Sequence, residues 1–451
     1  MYDKYGLFRI QLGPSPVVVL FKHHTVDALL TSNTNIEKSE QYMFLLEWLG
    51  EGLLTSTGAK WKGRRKLLTP AFHFKILDDF IPIMCEQSDI LVQKLMRESS
   101  KPYIDIREPI TQCTLDVICE TAMGVSIGAQ LGKNTEYVNA IHNMGEILMK
   151  RVFSPWIWSD FVFYRTGMGR LFATSLKILH TFTRNVINDR KSQLMSAKTD
   201  TNNDSLKSDD NMYLSDKRRK RLAFMDLLLE HHMKDNALTI DDIREEVDTF
   251  MFEGHDTTSV SLGWTLYLLG RHPDVQNLIH EELSEIFGDD IHRDITTDDL
   301  SKMSYLECVL KESLRMYPSV PFIGRKLTED LNCGDDYVVP KGTNVFLFIE
   351  RMHFDSNVFP DPLHFKPERF RDESTGNINA YSYVPFSAGA RSCIGKRFAV
   401  NEEKIILAKI CLNFRFESMD PIDKIQVSSE MVFRAKDALN IKFIPKYKQN
   451  L

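Results

Sequence analysis

The segment PFSAGARSCIG, residues 385–395, places Cys393 between glycines, beside an arginine and just before a helix-like run. Gly389 allows a backbone geometry and a close approach that a side chain would block. The N-terminus of the following helix and the charge of Arg391 both favour a thiolate over a thiol. Phe386 adds an apolar face that limits the access of water. These features predict a cysteine that functions as a thiolate.

A thiolate held in such a loop is either a nucleophile or a metal ligand. A nucleophile needs a histidine base, and none stands in this loop. A single thiolate suits a metal whose other positions are filled by a macrocycle, which is haem iron with a cysteine axial ligand. The other cysteines form no C-x-x-C pair, and we interpret them as core residues in a reducing compartment: Cys85, Cys113, Cys119, Cys308, Cys333 and Cys411.

The composition is that of an ordinary globular protein. Of the 451 residues, 43% are hydrophobic and 26% are charged, which excludes disordered and collagen-like classes. The net charge of −6 argues against a nucleic-acid partner, and we interpret the basic cluster at 216–221 as a solvated loop. No signal peptide is visible, and the uncharged run 257–270 is shorter than the roughly 20 residues that span a bilayer.

The chain begins with a strand pattern and continues with helical periodicity. The strands LFRIQLG and VVVLF flank the turn GPSP and predict a hairpin. From about residue 25 to residue 232 the pattern is mostly helical, except that the polar stretch 196–221 predicts a mobile loop. A long helix is expected over 241–272, opened by a capping box of Thr239 and Asp242.

The last third of the chain mixes helices with short strands. Ser304 and Glu307 predict a second capping box at the start of another helix. Residues 318–385 are irregular, with short strands such as NVFLFI, and a final helix starts near Cys393. No internal repeat is visible. We therefore expect a mainly α fold with a small β region (α+β), forming one domain over 1–451, with a small sheet contributed from both ends of the sequence.

The cysteine segment resembles the haem loop of the cytochrome P-450 monooxygenases. Three more family motifs follow the expected order: FEGHDTTS at 252–259, KESLR at 311–315 and PERF at 367–370. WKGRRKLLTPAFHF and EVDTFMFEGHDTTS are especially similar to family 4, the fatty-acid ω-hydroxylase branch, and to its insect members. The resemblance implies the cytochrome P-450 fold and haem b with Cys393 as its axial ligand. The loop motif F-x-x-G-x-R-x-C-x-G is carried here by Phe386, Gly389, Arg391, Cys393 and Gly395.

The long helix carries a face of small and polar residues at helical spacing, which are Gly254, Thr257, Thr258 and Ser261. Such a groove suits a flat macrocycle, and Gly254 allows the ligand to approach closely. The Thr257 hydroxyl can bond back to the carbonyl of Glu253 and loosen the helix locally. The resemblance makes Asp256 and Thr257 the catalytic pair that relays protons for oxygen activation. The alternative to a catalytic role is a structural helix with a few buried polar groups that are hydrogen-bonded to water.

Glu253 stands where most of the superfamily has Ala or Gly. In family 4 this glutamate can form an ester with a haem methyl group. The alternative is a buried carboxyl group that is hydrogen-bonded to water and has a raised pKa. Both interpretations stay open at this point.

Two further groups of residues are implied by the resemblance. Glu312 and Arg315 can pair on one helix, and the family adds Arg369 as the third member of a buried structural triad behind the cysteine loop. The haem propionates need cationic or donor partners, and the resemblance assigns that role to Trp61, Arg65, Arg325 and Arg391.

Electrons are expected from outside, because the chain has no G-x-G-x-x-G fingerprint. The implied partner is an NADPH-cytochrome reductase, with cytochrome b5 as a second candidate. A basic docking face is expected near the cysteine, formed by Lys62, Arg64, Lys66, Lys396 and Arg397.

Microsomal family members begin with a membrane anchor and a Pro-rich hinge, which this sequence lacks. We interpret that as an incomplete N-terminus, so the resemblance implies a peripheral location on the cytosolic face of the endoplasmic reticulum membrane. The aromatic run 156–164 fits either a membrane contact or a core role.

The predicted function is therefore a haem-thiolate monooxygenase that inserts one oxygen atom from O2 into an unactivated C–H bond of a fatty acid or similar lipophilic substrate. Two alternatives stand beside it. One is a truncated protein that binds haem without turnover. The other is a peroxide-using isomerase, which would need no reductase.

Overall fold

The computed structural model describes residues 5–204, 223–235, 237–334, 337–371 and 379–447. Helices dominate these ranges. The helices are α1 His23–Leu30, α2 Leu46–Leu49, α3 Gly58–Leu68, α4 Phe74–Glu98, α5 Arg107–Ile118, α6 Thr135–Val152, α7 Asp160–Phe163, α8 Gly167–Asp204, α9 Phe224–Asp235, α10 Ile240–Arg271, α11 Pro273–Phe287, α12 Thr297–Lys302, α13 Ser304–Met316, α14 Ile349–His353 and α15 Lys396–Asn413.

The strands are short and form small sheets. They are β1 Leu7–Leu12, β2 Ser15–Leu20, β3 Ile104–Asp105, β4 Phe322–Lys326, β5 Leu331–Asn332, β6 Val338–Val339, β7 Asn344–Phe348, β8 Phe414–Ser418, β9 Val427–Ser429, β10 Phe433–Ala435 and β11 Asn440–Pro445. The predicted fold class, mainly α with a small β region, is confirmed.

The largest sheet joins distant parts of the chain. Its order is β1-β2-β7-β4, and the predicted hairpin of β1 and β2 is antiparallel. On its other side β2 pairs with β7, which runs parallel to it with Val17 opposite Asn344. The sheet is thus built from the N-terminal strands and from the irregular region after α13, whereas the C-terminal strands β8 and β11 form a separate sheet with β3.

Helix α10 runs through the core and carries part of the candidate site. Its predicted capping box is confirmed, since the Asp242 backbone N–H donates to Thr239 Oγ1 at 3.0 Å and the Thr239 N–H donates to Asp242 Oδ2 at 2.9 Å. Its 32 residues span roughly 48 Å at 1.5 Å per residue. The helix packs against α5, α8, α13 and α15, so nearly its whole circumference from Thr258 to Leu269 is buried.

Two boundaries differ from the prediction. The start predicted for the polar loop, residue 196, is too early. Helix α8 continues through Asp204, because no Gly or Pro between 170 and 204 ends it. Residues 205–221 lie outside the described part of the chain. The capping box expected at Ser304 and Glu307 is wrong, because the first amides of α13 donate to a neighbouring helix instead. Glu282 of α11 accepts from the Tyr305 N–H at 2.6 Å.

The described helices were also compared with the length and hydropathy that a bilayer requires. None of them combines enough length with enough apolar character to cross a membrane.

Candidate active site

One cavity brings together residues that lie far apart in the sequence. Most of its wall is apolar, with side chains such as Leu53, Phe72, Ile118, Phe250 and Ile323. The same wall includes Thr257 and all the predicted cofactor-binding residues, namely Trp61, Arg65, Glu253, Gly254, Arg325, Phe386, Arg391, Cys393 and Gly395.

The cysteine loop is fixed by backbone contacts that explain its composition. The Cys393 N–H donates to the Phe386 carbonyl at 2.9 Å, which closes the loop. Gly389 has a φ of +67°, and a Cβ there would lie 2.0 Å from the Leu30 carbonyl oxygen, so only glycine fits. Arg65 Nη1 donates to the Ser392 carbonyl at 2.9 Å and ties α3 to the loop. Cys393 is thereby presented to the cavity just before α15.

The predicted stabilisation of a thiolate by the loop alone is outweighed by burial. Desolvation by the surrounding protein and the nearby Glu253 carboxyl together raise the pKa of the Cys393 thiol to about 11, although the side chain itself is exposed in the cavity. The Gly395 N–H, Arg65 and Lys396 act in the opposite direction, whereas Arg391 is engaged elsewhere. A bound metal cation would supply the missing positive charge, because a thiol that coordinates a metal is deprotonated outright. The site therefore suits a metal ligand better than a free nucleophile.

One part of the cavity wall is strongly cationic. Arg391 donates to the carbonyls of Ile36 at 3.0 Å and Ser56 at 2.6 Å, and its guanidinium lies 4.1 Å from the centre of the Trp61 ring. Burial and the nearby Arg325 lower the pKa of Arg391 to about 9. Positive charges packed this closely favour an anionic ligand, and two carboxylates such as haem propionates match them.

Lys38 belongs to the same cationic part of the wall and was missed by the sequence analysis. Its ammonium lies 4.4 Å from the centre of the Tyr42 ring, and both residues line the cavity. Burial, Arg325 and Arg391 hold the pKa of Lys38 well below its ordinary value. Nothing in the surrounding segment NIEKSEQY distinguishes this lysine from a surface one, so only the tertiary structure identifies it.

Helix α10 contributes Gly254, Thr257 and Thr258 to the cavity wall. Thr257 Oγ1 donates to the Glu253 carbonyl at 2.6 Å, as expected, yet the helix remains α-helical from Ile240 to Arg271. The predicted local loosening is therefore absent. A Cβ on Gly254 would also lie 2.8 Å from Ile118 Cδ1 of α5, so that side chain would have to shift.

Asp256 is next to Thr257 in the sequence, but its side chain is not part of the cavity wall. Thr257 lines the cavity, whereas the Asp256 carboxylate accepts a hydrogen bond from Arg434 Nη2 at 2.6 Å. Burial alone would raise the pKa of Asp256, but Arg434, His255 and His142 outweigh it and lower that pKa. The expected relay therefore starts from an ionised carboxylate that faces an arginine.

Glu253 lies in the cavity wall, and burial raises its pKa while Lys38 opposes that shift. The carboxyl group is thus placed where a ligand in the cavity would meet it. This position is compatible with both interpretations of Glu253, the haem ester and the buried acid.

The three members of the predicted triad lie together. Glu312 accepts from Arg315 Nε at 2.8 Å and Nη2 at 2.9 Å, and from Arg369 Nε at 3.0 Å. Glu312 and Arg315 are 0% exposed, and Arg369 is 11% exposed. Arg315 also donates to the His353 carbonyl at 3.1 Å. The network joins α13 to the segment PERF that precedes the cysteine loop.

Comparison with known proteins adds a family to this geometry. The family model described as "Cytochrome P450" matches residues 1–443. Among curated relatives, cytochrome P450 4c3 of Drosophila melanogaster is 43% identical over 443 residues, which is 98% of this chain and 82% of the relative. Cytochrome P450 4V2 of Homo sapiens is 45% identical over 442 residues, with 98% and 82% covered. Cytochrome P450 4c21 of Blattella germanica is 40% identical over 422 residues, with 93% and 82% covered.

Proposed function

Because the chain belongs to the cytochrome P450 family, and within it to family 4, it is a haem-thiolate monooxygenase, and we propose that its substrate is a fatty acid or a similar lipophilic molecule. The observation that carries the proposal is that Cys393 and Thr257 line one cavity whose walls are mostly apolar. Apolar walls bind a lipophilic chain and exclude water from the reacting carbon.

The residues of the cavity fit haem as the cofactor. Cys393 would ligate the haem iron, and Lys38, Arg325 and Arg391 would match its two propionates in charge. When bound, haem supplies an iron centre that activates O2, and electron donation from the thiolate favours O–O cleavage. The ester between Glu253 and a haem methyl group is part of this proposal, supported by the position of that carboxyl group in the cavity wall.

Thr257 and Asp256 are proposed as the proton-delivering pair. Thr257 presents its hydroxyl on the cavity wall while donating to the Glu253 carbonyl, so the hydroxyl oxygen can accept a second hydrogen bond. Asp256 is the adjacent ionisable group that can exchange protons with the protein interior.

The proposed electron donor is an NADPH-cytochrome reductase, with cytochrome b5 as a second candidate. Support comes from cations exposed near the cysteine loop, namely Lys62, Lys66, Lys396 and Arg397. Arg64, which we also expected on this face, is buried and paired with Asp242 and Glu246 of α10. The proposed docking face is therefore smaller than the sequence suggested.

Association with the endoplasmic reticulum membrane is proposed through an aromatic surface between α6 and α8. Trp156 is 73% exposed and Phe161 is 68% exposed. The two exposed aromatic side chains lie five residues apart in the sequence, and exposed apolar surface of this kind fits a membrane contact. Other members of the aromatic run, including Ile157 and Phe163, are buried, so the run divides between a core role and a surface role.

The first experiment reduces the expressed protein, adds carbon monoxide and records the absorption spectrum. A strongly red-shifted Soret band is expected, and Cys393→Ala should abolish it. Cys308→Ala is the matched control, since Cys308 packs with Phe359 and Phe370 away from the cavity.

The second experiment adds reductase, NADPH and dodecanoic acid and measures hydroxylated product by mass spectrometry. Product that requires both the reductase and Cys393 supports the monooxygenase. A haem-loaded protein without product would instead identify a non-catalytic haem protein, and rearrangement of an added fatty-acid hydroperoxide without the reductase would identify a peroxide-using isomerase.

A further inference from the structure

Two adjacent carboxyl groups are buried on helix α15, which follows the cysteine loop. Glu402 is 0% exposed and Glu403 is 2% exposed. Both oxygens of Glu402 and Oε2 of Glu403 have no hydrogen-bond partner among the described residues. The next residue, Lys404, does not neutralise them, because its Nζ lies 2.7 Å from Glu307 Oε2 of α13. Buried acids without a partner are rare and costly to ionise, so ion pairing does not explain why the two carboxyl groups are there.

Glu403 lines the same cavity as Cys393, whereas Glu402 does not. Phe398 and Ala399 of α15 line the cavity as well, so one face of the helix leads from the cysteine loop to Glu403. Glu403 follows Lys396, the first residue of α15, by seven residues, which is a length of about 10 Å along the helix. The wall of the proposed haem site therefore contains an acid that is ten residues beyond the cysteine.

The surroundings of the two carboxyl groups set them apart. Burial raises the pKa of Glu403 to about 7, and the hydroxyl of Ser261 on α10 opposes that shift. Ser261 Oγ is itself buried and forms no other hydrogen bond within the described residues. Burial and the neighbouring Glu403 hold the pKa of Glu402 well above its ordinary value. Glu403 is therefore the member of the pair that exchanges its proton near neutral pH, while Glu402 stays protonated.

The other ionisable groups near the pair leave this difference in place. Glu403 raises the pKa of Tyr383, and Glu402 raises that of Cys113 on α5, so these two neighbours stay neutral. The cavity itself adds Arg65, Glu253, Arg391 and Cys393. Charges on α4, α11, α12, α13 and α15 are engaged with each other: Asp89 with Lys409, His280 with Lys446, Asp299 with Arg293, Glu312 with Arg315, and Glu307 with Lys404.

We propose that Glu403 is a redox-tuning residue, which takes up a proton when the haem iron is reduced and releases it when the iron is oxidised again. One electron enters from the reductase and one proton enters from solvent. The only bond made is the O–H bond of the Glu403 carboxyl group, and oxidation breaks the same bond. The inference rests on the haem site of the proposed function. Its consequence is that the equilibrium between ferric and ferrous protein depends on pH.

The direction of this dependence follows from charge. Reduction adds one negative charge to the site, which favours the neutral form of a nearby acid and raises its pKa. Two unit charges about 10 Å apart, at an effective dielectric constant of about 20, change each other's ionisation by about one pKa unit. Glu403 should therefore titrate near pH 7 in the ferric protein and about one unit higher in the ferrous protein. The reduction potential should fall as pH rises through this window.

The test is an optical redox titration of the haem-loaded protein without substrate, repeated from about pH 5 to about pH 9. The variants are Glu403→Gln, Glu403→Asp and Ser261→Ala. Glu402→Gln is the matched control, because it changes the adjacent carboxyl group, whose raised pKa keeps it protonated in this range. Infrared difference spectra between the ferrous and ferric proteins record the C=O stretch of a carboxyl group that gains a proton. Neither measurement depends on turnover.

In the wild type, the equilibrium should shift about tenfold toward the ferric form between about pH 6 and pH 9, which is about 59 mV for one electron. Glu403→Gln should stay at the low-pH potential throughout, because a neutral amide replaces the neutral acid, and it should lack the infrared band. Glu403→Asp should keep a pH dependence. Ser261→Ala should move the dependence to higher pH, because the hydroxyl that lowers the pKa of Glu403 is lost. Glu402→Gln should behave as the wild type.

A wild-type potential that does not change with pH overturns the inference, and so does an unchanged pH dependence in Glu403→Gln. Where Glu403→Gln does not bind haem, Ser261→Ala decides the matter, since a pH dependence that stays in place also overturns it. A wild-type chain that binds no haem overturns the proposed function and this inference together. A haem protein with the expected pH dependence that forms no hydroxylated product overturns the proposed function alone.

Discussion

Glu312→Gln should destabilise the protein far more than the loss of a surface ion pair. The substitution keeps the volume of the side chain but removes the negative charge that balances Arg315 and Arg369 in this network. Glu312 accepts four hydrogen bonds, from Arg315 Nε and Nη2, from Arg369 Nε and from the Lys366 backbone N–H at 2.9 Å. A buried charge left without its partner costs about 3–5 kcal/mol.

The expected change in Tm follows from the size of the chain. At about 2.1 cal/mol/K per residue, unfolding 451 residues has an entropy of roughly 0.95 kcal/mol/K, so a loss of 3–5 kcal/mol lowers Tm by about 3–5 °C. Arg369→Met should cost less, because Glu312 keeps both bonds from Arg315. Lys101→Ala is the control, since its 2.9 Å pair with Glu98 is exposed and such pairs contribute only about 0–1 kcal/mol.

The assay is thermal unfolding of the haem-loaded proteins at one scan rate, because large chains often unfold irreversibly. Haem release on heating, followed at the Soret band, gives an independent measurement of how the variants rank in stability. The expected ranking of destabilisation is Glu312→Gln, then Arg369→Met, then Lys101→Ala. A Tm for Glu312→Gln within 1 °C of the control, measured in parallel, would refute the assignment of a stabilising role to the buried network.

Three further outcomes are expected. Glu253→Gln removes the carboxylate that the proposed haem ester needs. Acidic organic solvent should therefore extract all haem from the variant but leave part of it attached to the wild-type chain, as measured by intact mass. Complete extraction of haem from the wild type argues for the buried acid. Replacing Trp156 and Phe161 together with serine should lower binding to phospholipid vesicles several-fold in a flotation assay, whereas Leu363→Ser, which changes an equally exposed apolar residue, should not. Lys404→Met should lower Tm at neutral pH, because burial raises the pKa of Glu307 but bonds from Lys311 and Lys404 lower it to about 2. A depressed carboxyl pKa stabilises the fold above its unfolded value near 4.5, so the difference in Tm should shrink as pH falls from about 4.5 to 2; a difference independent of pH contradicts this.

The sequence predicted those parts of the site whose residues all lie in one contiguous segment. The glycines around Cys393 and its contact with Phe386 all lie within ten residues. The local sequence is therefore enough to predict a thiolate loop. The capping box at Thr239 is equally local. The family resemblance added Arg325 and Arg369 to the predicted residues, although no local pattern distinguishes them.

The parts that escaped prediction depend on contacts between distant segments. Lys38 and Arg434 acquire their roles only because folding brings them beside Arg391 and Asp256. The cap of α13 is supplied by Glu282 of the preceding helix, so the local Ser304 pattern pointed to the wrong partner. The thiol of Cys393 shows the same limit, since the favourable local groups are outweighed by the desolvation that the whole fold imposes.

The pairing of β2 with β7 has a consequence for synthesis of the protein. Val17 pairs with Asn344, so the edge of the N-terminal hairpin stays open until about 330 more residues have left the ribosome. At roughly 5–20 residues per second, that interval lasts about 16–65 s. An open strand edge that includes Val17, Val18 and Val19 is a template for intermolecular pairing during this time. Yield in a cell should therefore depend on chaperones that bind the nascent hairpin, and slower translation should lengthen that dependence.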